Sequence, residues 1–221
     1  MRGFLLTLEG PDGAGKTTQI ELLESSLKTK GFPVIRVREP GGTQLGESVR
    51  SIVKDSKNVN LSAWAEANLF TAARAQLIKE VIKPAIENGH IVIADRFSDS
   101  TIAYQGYGRG LDINTLEIMQ RVLDIQPNLT FILDLSPENG FKRQDNIKGY
   151  NSDRIELAGL DFHHKVRQGF LERARKDPAR CVVLDALLPV NELAYHITDI
   201  TVSKAKERGL LSQLIQDLSS F

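Results

Sequence analysis

Gly10, Gly15, Lys16 and Thr17 stand in the order Gly-x-x-x-x-Gly-Lys-Thr, with Pro11, Asp12, Gly13 and Ala14 between the glycines and Thr18 following. Those residue types at that spacing suit a polyphosphate. Glycines let successive backbone N–H groups turn inward around phosphate oxygens, and a helix beginning near Gly15 adds the positive end of its dipole. Lys16 would neutralise the β- and γ-phosphates, and the Thr17 hydroxyl would hold Mg²⁺. The segment from Gly10 to Thr18 is therefore expected to bind a nucleoside triphosphate with magnesium. Asp12 does not fit that picture, because a carboxylate inside an anion-binding loop is costly without a partner.

Three further stretches carry groups that suit a second ligand. In "DRFSDSTIAYQG", beginning at Asp95, an acid at the end of an apolar run is followed by Arg96, then by Ser100, Thr101, Tyr104 and Gln105. An acid there faces the ligand crevice of an open α/β sheet. "TFILD" ends similarly at Asp134, but Leu135, Ser136 and Pro137 follow it, so Asp134 is assigned a turn or capping role. In "EANLFTAARAQ", Phe70 and Arg74 share a helix face, where a ring and a guanidinium can stack on a base and bond its edge. Spacing alone favours a core phenylalanine beside a solvated arginine. "REPGGT" places Arg38 before two glycines, which read as a tight turn or a close approach to ligand.

The elements needed to position these groups alternate. Strands are predicted at "FLLTLE", "PVIRVRE", "HIVIADR", "LTFILDL" and "RCVVLDA", with a helix over residues 16–30, a long helix over 62–87 bent or broken at Pro84, and another after Pro189. Alternation of this kind implies a five-stranded parallel sheet with helices on both faces. The polar stretch "QDNIKGYNSD" at 144–153 reads as a mobile loop. Phe162, Val166 and Phe170 form an apolar stripe, and adjacent His163 and His164 point to different faces, which does not suit a metal site. Trp64 reads as core or interface packing, and the tail from Gly209 is amphipathic.

Composition narrows the functional classes. At 221 residues with 41% apolar and 25% charged residues, the chain is a single ordinary domain, and its zero net charge argues against a nucleic-acid polymer as partner. One cysteine, Cys181, cannot form an internal disulfide, and no run suits a secretory signal or a membrane span, so a cytoplasmic location is expected. The guanine-reading tetrad Asn-Lys-x-Asp does not occur. That leaves a kinase acting on a small acceptor ahead of a switching GTPase or regulatory ATPase.

Taken in order, "EGPDGAGKTT", "REPGGTQLGE", "LFTAARAQ", "DRFSDSTIAYQG" and "DRIE" at 153–156 resemble the thymidylate kinase family, most closely its bacterial members. The resemblance spans most of the chain. It implies a P-loop nucleoside monophosphate kinase fold over residues 1–221 with a lid at about 142–154, and ATP-dependent phosphorylation of dTMP to dTDP in dTTP synthesis. Another nucleoside monophosphate kinase is the alternative. By the same resemblance, Phe70 stacks on thymine and Arg74 bonds its O4 edge. Arg96 clamps the dTMP phosphate with help from Arg38, while Ser100, Thr101 and Gln105 line the base and sugar pocket. Tyr104 lies under the deoxyribose, Asp95 serves magnesium or positions Arg96, and Asp12 reads the deoxyribose 3′-hydroxyl. Family members differ in whether a catalytic arginine sits in the phosphate loop or in the lid. Gly13 occupies the loop position, which hands the role to Arg143 and Arg154, with Lys148 a third candidate. The "LDALLPV" run near Asp185 is the expected adenine contact. A homodimer is implied, with the early part of the 62–87 helix as its interface.

Overall fold

The computed structural model describes residues 3–146, 149 and 152–210. Five strands form one parallel sheet: β1 (Phe4–Glu9), β2 (Val34–Arg38), β3 (Ile91–Asp95), β4 (Leu129–Asp134) and β5 (Cys181–Asp185). Their spatial order is β2-β3-β1-β4-β5, so β1 is central. Between β3 and β4 the chain crosses from one side of β1 to the other. Such a reversal opens a crevice at the carboxyl ends of the strands. The loop carrying Lys16 follows β1, and Arg96 follows β3, so the topology alone brings them together.

Strand periodicity explains how β1 serves two layers. Phe4, Leu6 and Leu8 point into a core shared with α1 (Lys16–Thr29) and with Leu193, Ile197 and Ala205 of α9 (Val190–Glu207). Leu5 points the other way, into a core with Leu77, Ile82 and Phe97. The alternate row continues through Thr7, whose hydroxyl bonds that of Thr130 at 2.9 Å, to the fully buried Glu9. A strand buried on both faces reads as a continuous apolar run, which is why "FLLTLE" is legible from sequence.

Four of the described helices begin where a short polar side chain caps them. Thr43 caps α2 (Gln44–Lys54), Ser62 caps α3 (Ala63–Leu77), Asp112 caps α6 (Ile113–Val122) and Ser136 caps α7 (Pro137–Asp145). The helix expected over 62–87 is a continuous helical path. It widens to a π-helical turn at Ile78–Ile82 and ends as α4 (Lys83–Glu87). Pro84 lacks the N–H that would bond one turn back, and the widened turn lies directly before it. A second π-helical turn, Ile102–Gly108, continues from the short helix α5 (Ser98–Thr101) and carries Tyr104 and Gln105. The Phe162, Val166, Phe170 stripe lies on α8 (Leu160–Lys176) and packs on Tyr104 and Ile132. Trp64 is 40% exposed, which removes the core alternative for it. The amphipathic tail beyond Leu210 lies outside the described residues.

Candidate active site

The glycines of the phosphate loop adopt left-handed or otherwise positive backbone angles, with φ 132° at Gly10, 77° at Gly13 and 84° at Gly15. α1 begins immediately after Gly15, with Thr17 and Thr18 exposed in its first turn. The Lys16 ammonium folds back over the loop and donates to the carbonyls of Gly10 (3.0 Å) and Pro11 (2.8 Å). Burial lowers its pKa, and the Arg96 charge adds to this, to about 8 against the partial support of Asp12 and Asp95. A polyphosphate in the loop would supply the missing negative charge.

Gly13 has a steric reason to lack a side chain. A Cβ there would lie 2.5 Å from the Gly140 carbonyl oxygen, and one on Gly140 would lie 2.5 Å from that of Asp12. The loop and α7 thus meet backbone to backbone. An arginine at position 13 would have to push α7 away, so the fold itself excludes the loop-borne cation.

Asp12 finds its partner on the opposite wall. Its Oδ1 accepts from Arg96 Nη2 at 2.6 Å and its Oδ2 from the Tyr104 hydroxyl at 2.8 Å. Burial alone would push the Asp12 carboxyl up. Arg96, Lys16 and the Tyr104 hydroxyl outweigh it and hold the group well below the usual carboxylate range. Arg96 also donates to the Gly10 carbonyl (3.0 Å) and to Ser100 Oγ (3.2 Å), and its guanidinium lies 4.9 Å from the Tyr104 ring centroid. It follows Asp95 at the tip of β3 with φ 67°, a left-handed conformation that costs a non-glycine residue free energy.

Farther along the same wall, Arg74 is 2% exposed, which excludes a solvated arginine at that position. Its Nε and Nη2 contact Glu39 Oε2 at 2.7 and 2.6 Å, Nη2 also donates to the Phe97 carbonyl at 3.0 Å, and Nη1 bonds Thr101 Oγ1 at 2.9 Å and Gln120. All five N–H groups of this guanidinium therefore have protein acceptors. A base edge would have to share one of them. Glu39 is the carboxylate that makes an arginine tolerable here. Its second oxygen, Oε1, is buried with no hydrogen-bond partner among the described residues. Phe70 is half-buried one turn before Arg74. Gln105 Nε2 donates to Glu66 at 2.7 Å. Arg38 is exposed at the rim and paired with Glu47 at 3.0 Å.

The expected lid divides in two. Lys142 and Arg143 belong to the last turn of α7 rather than to a loop, because the helix started by Ser136 and Pro137 continues to Asp145. From there Arg143 reaches the loop, donating to the carbonyls of Gly13 (3.2 Å) and Ala186 (2.9 Å). Ala186 opens the segment after β5 expected to meet adenine. Arg154 is not brought to the phosphate loop. It is buried, donating to the Val53 carbonyl at 2.9 Å and to Glu66, which also accepts from Arg109 at 3.3 Å. Lys148 lies outside the described residues. Asp134 does not cap a turn. It accepts two bonds from Arg167, at 2.7 and 2.8 Å, which neutralise it on the side of α8.

Sequence reasoning passed over Glu9, Glu39, Glu47 and Glu66, all carboxylates that hold a basic or polar residue of the site. Glu9 and Glu39 lay inside the quoted "EGPDGAGKTT" and "REPGGT", yet nothing in one sequence says which basic residue each one faces. One cavity of about 830 Å³ collects Asp12, Lys16, Thr17, Arg38, Phe70, Arg74, Asp95, Arg96, Ser100, Thr101, Tyr104, Gln105 and Arg143 along its lining, with space for two ligands end to end. Thr17 and Asp95 place hard oxygen donors at the loop end of this cavity. That set suits Mg²⁺, which takes one or two protein oxygens and completes its shell with phosphate oxygens and water.

Comparisons with known proteins identify the family. The family model described as thymidylate kinase matches residues 8–197. The thymidylate kinase of Deinococcus radiodurans is 47% identical over 198 residues, covering 89% of this chain and 95% of that one. That of Pelotomaculum thermopropionicum is 43% identical over 212 residues, 95% of each chain. The crystal structure of thymidylate kinase from Ehrlichia chaffeensis superposes with a TM-score of 0.68 at 37% identity, covering 83% of this chain and 93% of that one. With the match running through almost every strand and helix that builds the cavity, the chain belongs to the thymidylate kinase family.

Proposed function

We propose that the protein transfers the γ-phosphoryl group of ATP to the 5′-phosphate of dTMP, giving dTDP and ADP. The observation that carries this reading is the Asp12–Arg96–Tyr104 cluster. It pairs the one acid of the phosphate loop with Arg96 and Tyr104, which supports reading that wall as the place of a second ligand.

ATP would lie along the segment from Gly10 to Thr18, its β- and γ-phosphates drawing Lys16 off the loop carbonyls. Magnesium, bound through Thr17 and with Asp95 nearby, would offset phosphate charge. The acceptor phosphate is already ionised at neutral pH, so the reaction needs no strong general base. Its barrier lies in the repulsion between two polyanions and in their alignment. Arg96 meets both demands, a fixed guanidinium between the phosphate loop and Tyr104. Arg38 would help at the acceptor phosphate on leaving Glu47. Arg143 supplies a cation at Gly13, on the ATP side of the transfer. Arg154 acts on this reading as an anchor for the lid rather than as a phosphate ligand. The remaining lid residues would exclude water, which competes as acceptor.

Phe70 would stack on thymine, with Arg74 and Thr101 at its polar edge and Tyr104 and Ser100 beside the deoxyribose. In a coupled ADP-release assay, dTMP is the fastest of dTMP, dUMP, dCMP and dGMP. Phe70→Ala is expected to raise the KM for dTMP about fivefold to 150-fold, since base–aromatic stacking contributes roughly 1–3 kcal/mol. Fastest turnover with dGMP would overturn the thymine assignment. We further infer a cytoplasmic homodimer. A partly exposed Trp64 at the start of α3 is compatible with a second copy, and no helix among the described residues is long and apolar enough to cross a membrane.

A further inference from the structure

We propose that Glu9 is a positioning residue for phosphoryl transfer: its carboxyl pins the left-handed corner at Arg96 and so sets where that guanidinium points. This inference rests on the reading of Arg96 as the acceptor-phosphate clamp.

Glu9 is the last residue of β1 and is completely buried. It belongs to the row of Leu5 and Thr7, which faces away from α1, so its side chain projects under the segment that follows β3. There its two oxygens are divided between two anchors. Oε1 accepts from the Phe97 backbone N–H at 2.7 Å, and Oε2 from the Ser100 hydroxyl at 2.6 Å. Arg96 lies between them in chain position, held through its own N–H by the Leu8 carbonyl at 3.1 Å.

Three consequences follow from this placement. The first concerns strain. Arg96 has a positive φ, and such a conformation persists only where its surroundings over-determine it. The bonds from the Arg96 N–H to the Leu8 carbonyl and from the Phe97 N–H to the Glu9 carboxyl do so, by fixing the two peptide units that flank Arg96. The second concerns the side chain. Ser100 Oγ donates to Glu9 and accepts from Arg96 Nη1, so the carboxyl fixes the hydroxyl that fixes the guanidinium. The third concerns charge. Burial, followed by the negative charge of Asp99, pushes the Glu9 carboxyl up to about 8. Asp99 itself stays ionised under Arg173 and Arg180, at 3.0 and 2.6 Å. The two oxygens of Glu9 are taken by the Phe97 N–H and the Ser100 hydroxyl rather than by the Arg96 guanidinium, so its part is geometric rather than that of a counter-ion for Arg96.

The geometry ranks substitutions. Glutamine keeps an acceptor for Phe97 N–H and offers its amide to Ser100. Aspartate, one methylene shorter, cannot reach both anchors at once. Misplacing a reacting group by about 1 Å can cost a hundredfold in rate. With dTMP and ATP, Glu9→Gln is expected to keep kcat within about threefold of wild type. Glu9→Asp is expected to lose about 30-fold, with equilibrium affinity for a non-hydrolysable ATP analogue unchanged. Glu9→Ala, which leaves no carboxyl to bury, is the second variant and carries the same expectation as Glu9→Asp should that protein fail to fold. A purely structural role would lower the melting temperature while leaving kcat per folded molecule intact. Glu9→Asp or Glu9→Ala with kcat within threefold of wild type, or a parallel loss of ATP-analogue affinity, overturns the proposal. Arg96→Ala measured alongside separates the two levels. An inactive Arg96→Ala with a fully active Glu9→Asp defeats the inference about Glu9 alone. A fully active Arg96→Ala defeats the reading of Arg96 beneath it as well.

Discussion

Replacing Arg96 with alanine is expected to lower kcat for dTMP by roughly 10³-fold, at the lower end of what an arginine at a transferring phosphoryl group supplies. Affinity for ATP should change little, because the loop N–H groups and the Lys16 ammonium, rather than Arg96, are the groups that would hold its phosphates. The loss has two parts. A cation between two polyanions disappears, and Asp12 loses its chief counter-charge while still buried and still repelling phosphate. Lysine will not restore the rate. A single ammonium cannot donate together to the Gly10 carbonyl, Ser100 Oγ, Asp12 and the Tyr104 hydroxyl as the forked guanidinium does. Steady-state kinetics of Arg96→Ala and Arg96→Lys, paired with ATP-analogue binding, check this. A kcat within fivefold of wild type in the alanine variant would remove Arg96 from the reaction.

The second large effect separates the two arginines that the sequence treats alike. Arg143→Ala should reduce kcat about a hundredfold with dTMP binding nearly unchanged, since its guanidinium reaches the Gly13 carbonyl beside the incoming phosphates. Arg154→Ala should instead reduce stability, on the order of 2–3 kcal/mol, because it takes a buried cation from the fully buried Glu66. The loss stays moderate because Arg109 and Gln105 continue to donate to that carboxylate. Thermal melting and kcat measured on both variants distinguish them. Equal kcat losses at unchanged stability would return Arg154 to the transfer step.

What the sequence reveals and what it conceals divide along physical lines. The inner strands β1, β3 and β4 are legible because a parallel strand buried on both faces is a nearly unbroken apolar run, the half-exposed edge strands β2 and β5 because their valines and isoleucine stand between breakers, and the phosphate loop because its glycines, lysine and threonine are close in sequence. Phe70, Arg74 and Arg96 are legible as ligand candidates only in combination, through the resemblance. Long-range pairing is not legible at all. Asp134 reads as a cap from its neighbours Ser136 and Pro137, but is taken by Arg167 from a helix 33 residues later. Arg154 reads as a lid cation, but Glu66, 88 residues earlier, accepts from it. The loop expected at 144–153 starts too early, because the helix capped by Ser136 runs on through Arg143 to Asp145. Each depends on which carboxylate or cap lies opposite in space, and a single sequence does not encode that locally. Gly13 is the intermediate case: its identity is plain, and its reason, contact with the Gly140 backbone, becomes visible only in three dimensions.

The most direct test follows the label from ATP carrying ³²P at the γ-position, with magnesium and dTMP present. Transfer predicts that label accumulates in dTDP in step with ADP release, and that little inorganic phosphate forms when dTMP is omitted. Label released as inorganic phosphate at the same rate with and without dTMP would contradict a dTMP kinase and leave a phosphate loop that serves hydrolysis.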